Sequence, residues 1–229
     1  MTLLSLLLSF FPTTVVLLAI ATLAWLWVAP SAIAVATILF VLYGLPLCAY
    51  HLHNLLYPLI EGTSYLRGTA YSPWWGSHQI QQIYIAIPIL ETVLRLIPGM
   101  FSLWLKLWGA KVGRGVYWTP AIEIADRGLL NIGDRVVFGY RVGIYSHVVK
   151  PKQNNLLLYV KPIEIGSDSF VGAGSVLGPG TVLPKGSYLP VESRLSVNQV
   201  IATTAQKFPQ DSATNQSSRL AETIHLRRR

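Results

Sequence analysis

The sequence predicts an all-β solenoid of short, three-sided coils, reached through a helical hairpin in a membrane. Two observations carry this. Aliphatic or aromatic residues recur every six positions from Val112 to about Val197, and residues 1–60 hold no Asp, Glu, Lys or Arg. An α-helix repeats every 3.6 residues and a strand every 2, so neither explains a period of six. A solenoid does: each six supplies one flat face, one inward side chain and one tight corner, and three sixes close a coil.

The hairpin comes first. Leu3 to Val28 is apolar and long enough to cross a bilayer. A signal peptide would need a basic start and a shorter apolar run, and no second span directly behind it. Pro30 and Ser31 mark a turn, and a second span runs from Ala32 to about Tyr50 or beyond. So short a link makes a hairpin with both ends on one side. Every Lys and Arg lies after it, which places the rest of the chain on the cytoplasmic side. Cys48, the only cysteine, sits in this apolar run as a small buried residue, and no intrachain disulfide can form. His51 and His53 close the second span, either at headgroup level or in contact with a membrane-borne substrate.

Residues 61–108 form the connection. Glu61 to His78 is rich in Gly, Ser and aromatics and does not read as a helix. Trp74, Trp75, Tyr65 and Tyr71 suit the membrane–water boundary, or a lid over a lipid-facing site. Gln79 to Leu107 is apolar but broken near Pro88 and Pro98, and carries Glu91, Arg95 and Lys106. It reads as one or two interfacial helices, with a third span as the alternative.

The solenoid occupies 109–202. Its inward positions are Val112, Trp118, Ile124, then Ile132, Phe138, Ile144, then Ile165, Val171, Leu177, Leu183, Leu189 and Leu195. The phase breaks twice. Two extra residues, placed near Leu130 and Asn131, bulge out after Ile124. A long insertion, Val148 to about Lys161, follows His147. Insertions in a repeat fold sit at corners and often carry function. After about Thr203 the pattern stops, and 203–229 reads as a polar tail whose end, Arg219 to Arg229, is basic.

The run IYSHVVKPKQNNLLLYVKPIEIGSDSFVGAGSVLGPGTVLPKG, with the approach Trp108-Gly109-Ala110-Lys111-Val112-Gly113, resembles the hexapeptide-repeat acyltransferases. The likeness extends to membrane-attached C-terminal regions of synthetase-like proteins, which pair apolar helices with such coils. It covers roughly 105–200. It implies a left-handed parallel β-helix of about four coils, a homotrimer, and an acyl-CoA or acyl-carrier thioester as donor with no tightly bound cofactor.

His147 is the single histidine of the coil domain. Acyl transfer to a hydroxyl or amine needs a base near neutrality, which imidazole supplies. The resemblance makes His147 that base; a structural corner histidine is the alternative. Tyr145 and Ser146 flank it. Asp126 and Asn131, about one coil earlier, are candidates to orient the imidazole or contact the acceptor, or solvated loop groups. Arg127 and Arg141 read as surface residues. Lys150 and Lys152 could meet donor phosphates or simply be solvated. In the resembling family the donor's pantetheine arm lies along small residues, here Gly172, Ala173, Gly174 and Gly178, which are equally explained as corner geometry.

The apolar hairpin points to a lipid-like or amphiphilic acceptor. The alternative is a non-catalytic membrane-tethered scaffold. One histidine cannot supply the three-histidine zinc site of β-helical carbonic anhydrases, so no metal is expected. The basic excess of +8 is spread along the chain with no recognisable nucleic-acid module.

Overall fold

The computed structural model describes residues 2–67 and 70–201. The expected tail, 203–229, lies outside them. Two helical stretches, Leu3–Val28 and Ala32–Leu56, are long and apolar enough to cross a membrane. The first comprises α1 (Leu3–Ser9) and α2 (Phe11–Val28); the second comprises α3 (Ala32–Leu39), a π-helical turn (Phe40–Gly44) and α4 (Leu45–Leu56). Thr2 and Ser31 cap the two starts, their hydroxyls accepting the Ser5 and Ala34 N–H groups. The π turn has a local cause. Pro46 has no N–H for the Leu42 carbonyl four residues back. Tyr84 supplies the missing donor, its hydroxyl lying 2.7 Å from that oxygen. In an apolar setting such a carbonyl must find a partner.

The connection differs from the sequence expectation. Gly62–Tyr65 is a strand, β1, and Pro73–Ala86 is a helix, α5, so residues 73–78 are helical. Proline suits the first turn of a helix. Trp74, Gly76, Ser77, Ile80, Gln81, Ile83 and Tyr84 are all buried, on more than one face. A helix buried that widely shows no single apolar stripe, which is why its start reads as irregular. Two further helices follow, α6 (Ile89–Arg95) and α7 (Met100–Leu107).

The solenoid then makes four coils. The first holds β2 (Lys111–Val112), β3 (Tyr117–Trp118) and β4 (Glu123–Ile124); the second, β5 (Leu130–Ile132), β6 (Val137–Phe138) and β7 (Gly143–Ile144). A hairpin of β8 (His147–Lys152) and β9 (Asn155–Val160) interrupts them. The third coil holds β10 (Ile163–Ile165), β11 (Phe170–Val171) and β12 (Val176–Leu177); the fourth, β13 (Val182–Leu183), β14 (Tyr188–Leu189) and β15 (Arg194–Leu195). They stack as three four-stranded parallel sheets, β2-β5-β10-β13, β3-β6-β11-β14 and β4-β7-β12-β15. The hairpin is antiparallel and takes β1 as a third strand.

The six-residue register is met throughout. Val112, Ile132, Ile165 and Leu183 form one column; Trp118, Phe138, Val171 and Leu189 the second; Ile124, Ile144, Leu177 and Leu195 the third. All are buried except Trp118, which is half-buried beneath α7 and stacks on Phe138 at 4.7 Å. The buried hydroxyls bind coil to coil. Ser169 and Ser175 accept the Ser187 and Ser193 N–H groups and donate to the Pro184 and Pro190 carbonyls.

The corners follow the same arithmetic. Three residues after each inward side chain the backbone turns through positive φ, at Gly115, Ala121, Arg135, Arg141, Asp168, Gly174, Gly180, Gly186, Glu192 and Asn198. Arg127 and His147 occupy the two remaining such positions and are the exceptions. Both follow strands of the β4-β7-β12-β15 sheet, so both irregular corners fall at one edge of the prism, stacked on each other. The extra residues of the first are therefore near 125–128. Leu130 and Asn131, where the sequence put the bulge, are in β5 and pair with Ile163 and Glu164.

Candidate active site

Three elements converge on that edge: the 125–128 corner, the root of the β8–β9 hairpin, and α5. His147 Nδ1 donates to Asp126 Oδ2 across 2.6 Å. Asp126 is buried, and its other oxygen accepts the Trp74 indole N–H at 3.0 Å. The Trp74 ring lies 4.4 Å from the His147 ring and stacks on His78 at 4.9 Å. His78 and His147 are 5.2 Å apart. The His147 side chain retains 17% exposure, so one edge of the ring remains open.

The electrostatics favour a fixed carboxylate. Burial pushes the Asp126 carboxyl up, but the bond from His147, the electrostatic pull of the two imidazoles and the Trp74 N–H outweigh it and hold it below the usual carboxylate range. Burial is the largest influence on His78 and holds it below the ordinary histidine value; Asp126 pulls it up, while His147 and Arg127 push it down.

Neighbouring structure locks the corner. Gln81 Oε1 accepts the Arg127 backbone N–H at 2.8 Å. The Arg127 side chain, expected on the surface, is buried and grips Glu91 of α6 with two hydrogen bonds, at 2.6 and 3.1 Å. The Trp104 indole and Arg95 complete the shell around Glu91. The Tyr50 hydroxyl and the Trp108 carbonyl lie so close to Gly128 that no Cβ would fit there. Trp74 also packs on Leu158 and Val160 of the hairpin.

The site sits against the ends of the apolar helices. The Trp75 indole donates to the Ser5 carbonyl at 3.2 Å. His53 is hydrogen-bonded to Tyr71 at 2.5 Å. A Cβ at Gly76 would strike Tyr71, His53 and Leu8, so glycine is what admits α5 between the start of the first span and the end of the second.

Of the residues singled out from sequence, the structure gathers His147, Asp126, Tyr145 and Ser146. Ser146 is buried and donates to the Leu129 carbonyl. Tyr145 is half-buried, and the next coil places Gly178 beside it, since Ile144 pairs with Leu177. Gly172, Ala173 and Gly174 occupy a different edge, stacked on Gly139 and Tyr140. Asn131 lies on the β5 strand between Lys111 and Glu164. Lys150 is exposed on the hairpin, and Lys152 reaches the Tyr65 hydroxyl at 3.2 Å. From sequence Trp74 reads as a boundary or lid residue, and His78 only as the end of that stretch. Their spacing of four on one helix was the available signal, but it needs the helix to be recognised first.

His78, Asp126 and His147 each offer a donor atom within 4.8 Å of the others. With both Asp126 oxygens engaged, a divalent ion would meet two imidazoles rather than a closed shell.

No known protein family matches the sequence, and no curated protein does. Solved structures give architectural likenesses. A hexapeptide-repeat-containing acetyltransferase from Vibrio cholerae O1 biovar eltor, complexed with acetyl coenzyme A, is 15% identical over 61% of this chain and 91% of its own, with a TM-score of 0.41. A maltose O-acetyltransferase from Clostridium difficile 630 is 17% identical over 49% and 77%, at 0.33. A galactoside acetyltransferase in complex with coenzyme A is 15% identical over 49% and 74%, at 0.31.

Proposed function

We propose that this chain is a membrane-anchored acyltransferase. It moves an acyl group from an acyl-CoA or acyl-carrier thioester to a hydroxyl or amine of a lipid-like acceptor. One observation carries the reading: a partly exposed imidazole held by a buried carboxylate, at the edge where the coils meet two apolar helices long enough to cross a membrane. The Asp126 bond keeps the proton on Nδ1, which leaves Nε2 free to accept one. His147 Nε2 takes the proton of the acceptor's O–H or N–H as that atom attacks the thioester carbonyl. The tetrahedral adduct collapses, the C–S bond breaks, and the imidazolium returns the proton to the thiolate. Charge develops on His147 beside Asp126, which stabilises it more in the transition state than in the ground state.

The membrane side of the reading rests on α5. His53, Tyr71, Trp75 and Leu8 pack around it, so an amphiphile anchored in the bilayer would present its polar end near Trp74 and His78. The cytoplasmic face follows from the Lys and Arg distribution.

The test is thioester consumption by purified protein with a lipid extract as acceptor. His147→Ala and His147→Gln are each expected to lower turnover by about a hundred- to ten-thousand-fold, with elution from a sizing column unchanged. Asp126→Asn is expected to lower it too, by favouring the wrong tautomer. Chelators are expected to leave turnover unaffected. A scaffold would consume no thioester in any form. Near-normal turnover by His147→Ala would transfer the base role to His78.

A further inference from the structure

The outer faces of α6 and α7 each carry an apolar stripe that no other described residue covers. Ile89, Val93 and the C-capping Leu96 stand at i, i+4 and i+7; Met100, Leu103 and Leu107 at i, i+3 and i+7; all six are exposed. Their opposite faces bury Glu91, Phe101, Trp104 and Leu105. Both helices touch the second apolar stretch at single points. Tyr43 donates its hydroxyl proton to the Leu90 carbonyl at 2.9 Å and meets the Trp104 ring edge-on at 5.5 Å. His51 Nε2 reaches the Leu107 carbonyl at 2.7 Å. Helices pinned from Tyr43 to His51 share the depth of that half of the span, so their stripes face the same apolar medium.

A cavity of about 650 Å³ opens between α7 and the first coil. Ile97, Phe101, Leu103, Val116 and Trp118 give it apolar walls, and Arg95, Lys106 and Arg114 are its charged residues, with no carboxylate among the lining. Arg95 is spent on Glu91 and the Ile122 carbonyl. Lys106 and Arg114 are exposed and form no ion pair among the described residues. The nearby Asp134 carboxylate binds the Arg114 backbone N–H, at 2.7 Å, rather than its guanidinium. Two cations thus stand over an apolar cleft beside a lipid-facing helix pair.

We propose that this cleft binds one anionic phospholipid, its phosphate held by Lys106 and Arg114 and the start of its acyl chains lying against Ile97, Leu103 and Val116. Cations at headgroup level attract anionic lipid, and a guanidinium adds a planar two-donor match to phosphate. The apolar walls favour a lipid over a free anion. The site is at a different edge from His147, beside the β2–β3 corner. The inference rests on the membrane attachment proposed above and not on acyl transfer, and its test needs no turnover.

The full chain in neutral-detergent micelles would be titrated with phosphatidylglycerol or phosphatidylcholine and the bound lipid counted by native mass spectrometry. A photoreactive phosphatidylglycerol would map the contact. Wild type is expected to hold one phosphatidylglycerol per protomer, to prefer it over phosphatidylcholine, and to be labelled within residues 97–118. Lys106→Gln with Arg114→Gln should weaken phosphatidylglycerol binding about tenfold to thirtyfold and remove that label. Arg141→Gln with Arg194→Gln, an equal loss of charge outside the cleft on the second and fourth coils, should change neither. Equal binding of phosphatidylcholine, equal loss in the control pair, or displacement of the lipid by inorganic phosphate would overturn the proposal. Loss of the lipid site with normal turnover would leave the acyltransfer reading standing, and the reverse holds for His147→Ala.

Discussion

At the residue scale, the site is set by what faces Asp126. A buried carboxylate with two donors, His147 and Trp74, is held ionised, and the histidine beyond it, His78, is held neutral chiefly by burial. The sign of the pH dependence follows. A histidine whose folded value lies below 6.5 contributes stability that is complete above 6.5 and lost as pH falls below it. Asp126, also depressed, loses its contribution only below 3.8. Stability should therefore decline as pH falls below 6.5, by at most about 1.4 kcal/mol per pH unit for one proton, and the melting temperature should fall with it. His78→Phe keeps the stacking on Trp74 and removes the titration, so it should flatten this decline. An identical slope in the variant would show that another group is responsible. From sequence, His147 stands out as the single histidine of a periodic domain, at the position the family resemblance marks. Trp74 and His78 do not, since nothing in a Gly- and Ser-rich stretch marks them as neighbours of residue 147.

At the scale of elements, the irregular corner is held by a buried charge cluster. Arg127, Glu91 and Arg95 tie the first coil to α6, and the Arg127 backbone N–H is tied to Gln81 of α5. Removing one partner of a buried pair leaves a charge without compensation, a loss of about 3–5 kcal/mol. Arg127→Met should lower the denaturant midpoint accordingly and, by loosening residue 126, also reduce turnover in the fraction that remains folded. A midpoint equal to wild type would mean that Arg95 alone satisfies Glu91. Sequence reading placed Arg127 on the surface because a lone arginine beside a glycine usually is. Its partner lies 36 residues away on a helix whose docking cannot be read from spacing.

At the scale of the whole molecule, one continuous core runs from Val15 and Val41 in the apolar helices through Trp108 to Leu195 in the last coil. Two neighbouring outer faces differ. Tyr117, Val137, Phe170 and Tyr188 form an outward apolar column on the β3-β6-β11-β14 sheet, with Phe170 stacked on Tyr188 at 5.5 Å. The neighbouring sheet presents Lys111, Asn131, Glu164 and Val182. The apolar column is the face on which copies would associate, and we expect a homotrimer with six apolar spans. Light scattering in detergent should return the mass of three chains, and Phe170→Glu should return one, because it buries an unpaired carboxylate in the contact. A monomeric wild type at micromolar concentration would refute the assembly.

The sequence by itself determined the coils, because a period of six admits one inward side chain per face and leaves no other register. It determined the apolar hairpin for the same kind of reason: sixty residues without Asp, Glu, Lys or Arg leave few other solutions. The tertiary structure decided the site. Two irregular corners fall on one edge only once the coils are stacked, and that stacking, not any local motif, brings Asp126 beneath His147. α5 reaches them because Gly76 allows it between the two apolar helices. Contacts of this kind depend on three-dimensional closure between segments 20 to 70 residues apart, as with His147 to Asp126 and Trp75 to Ser5, and periodicity carries no record of them.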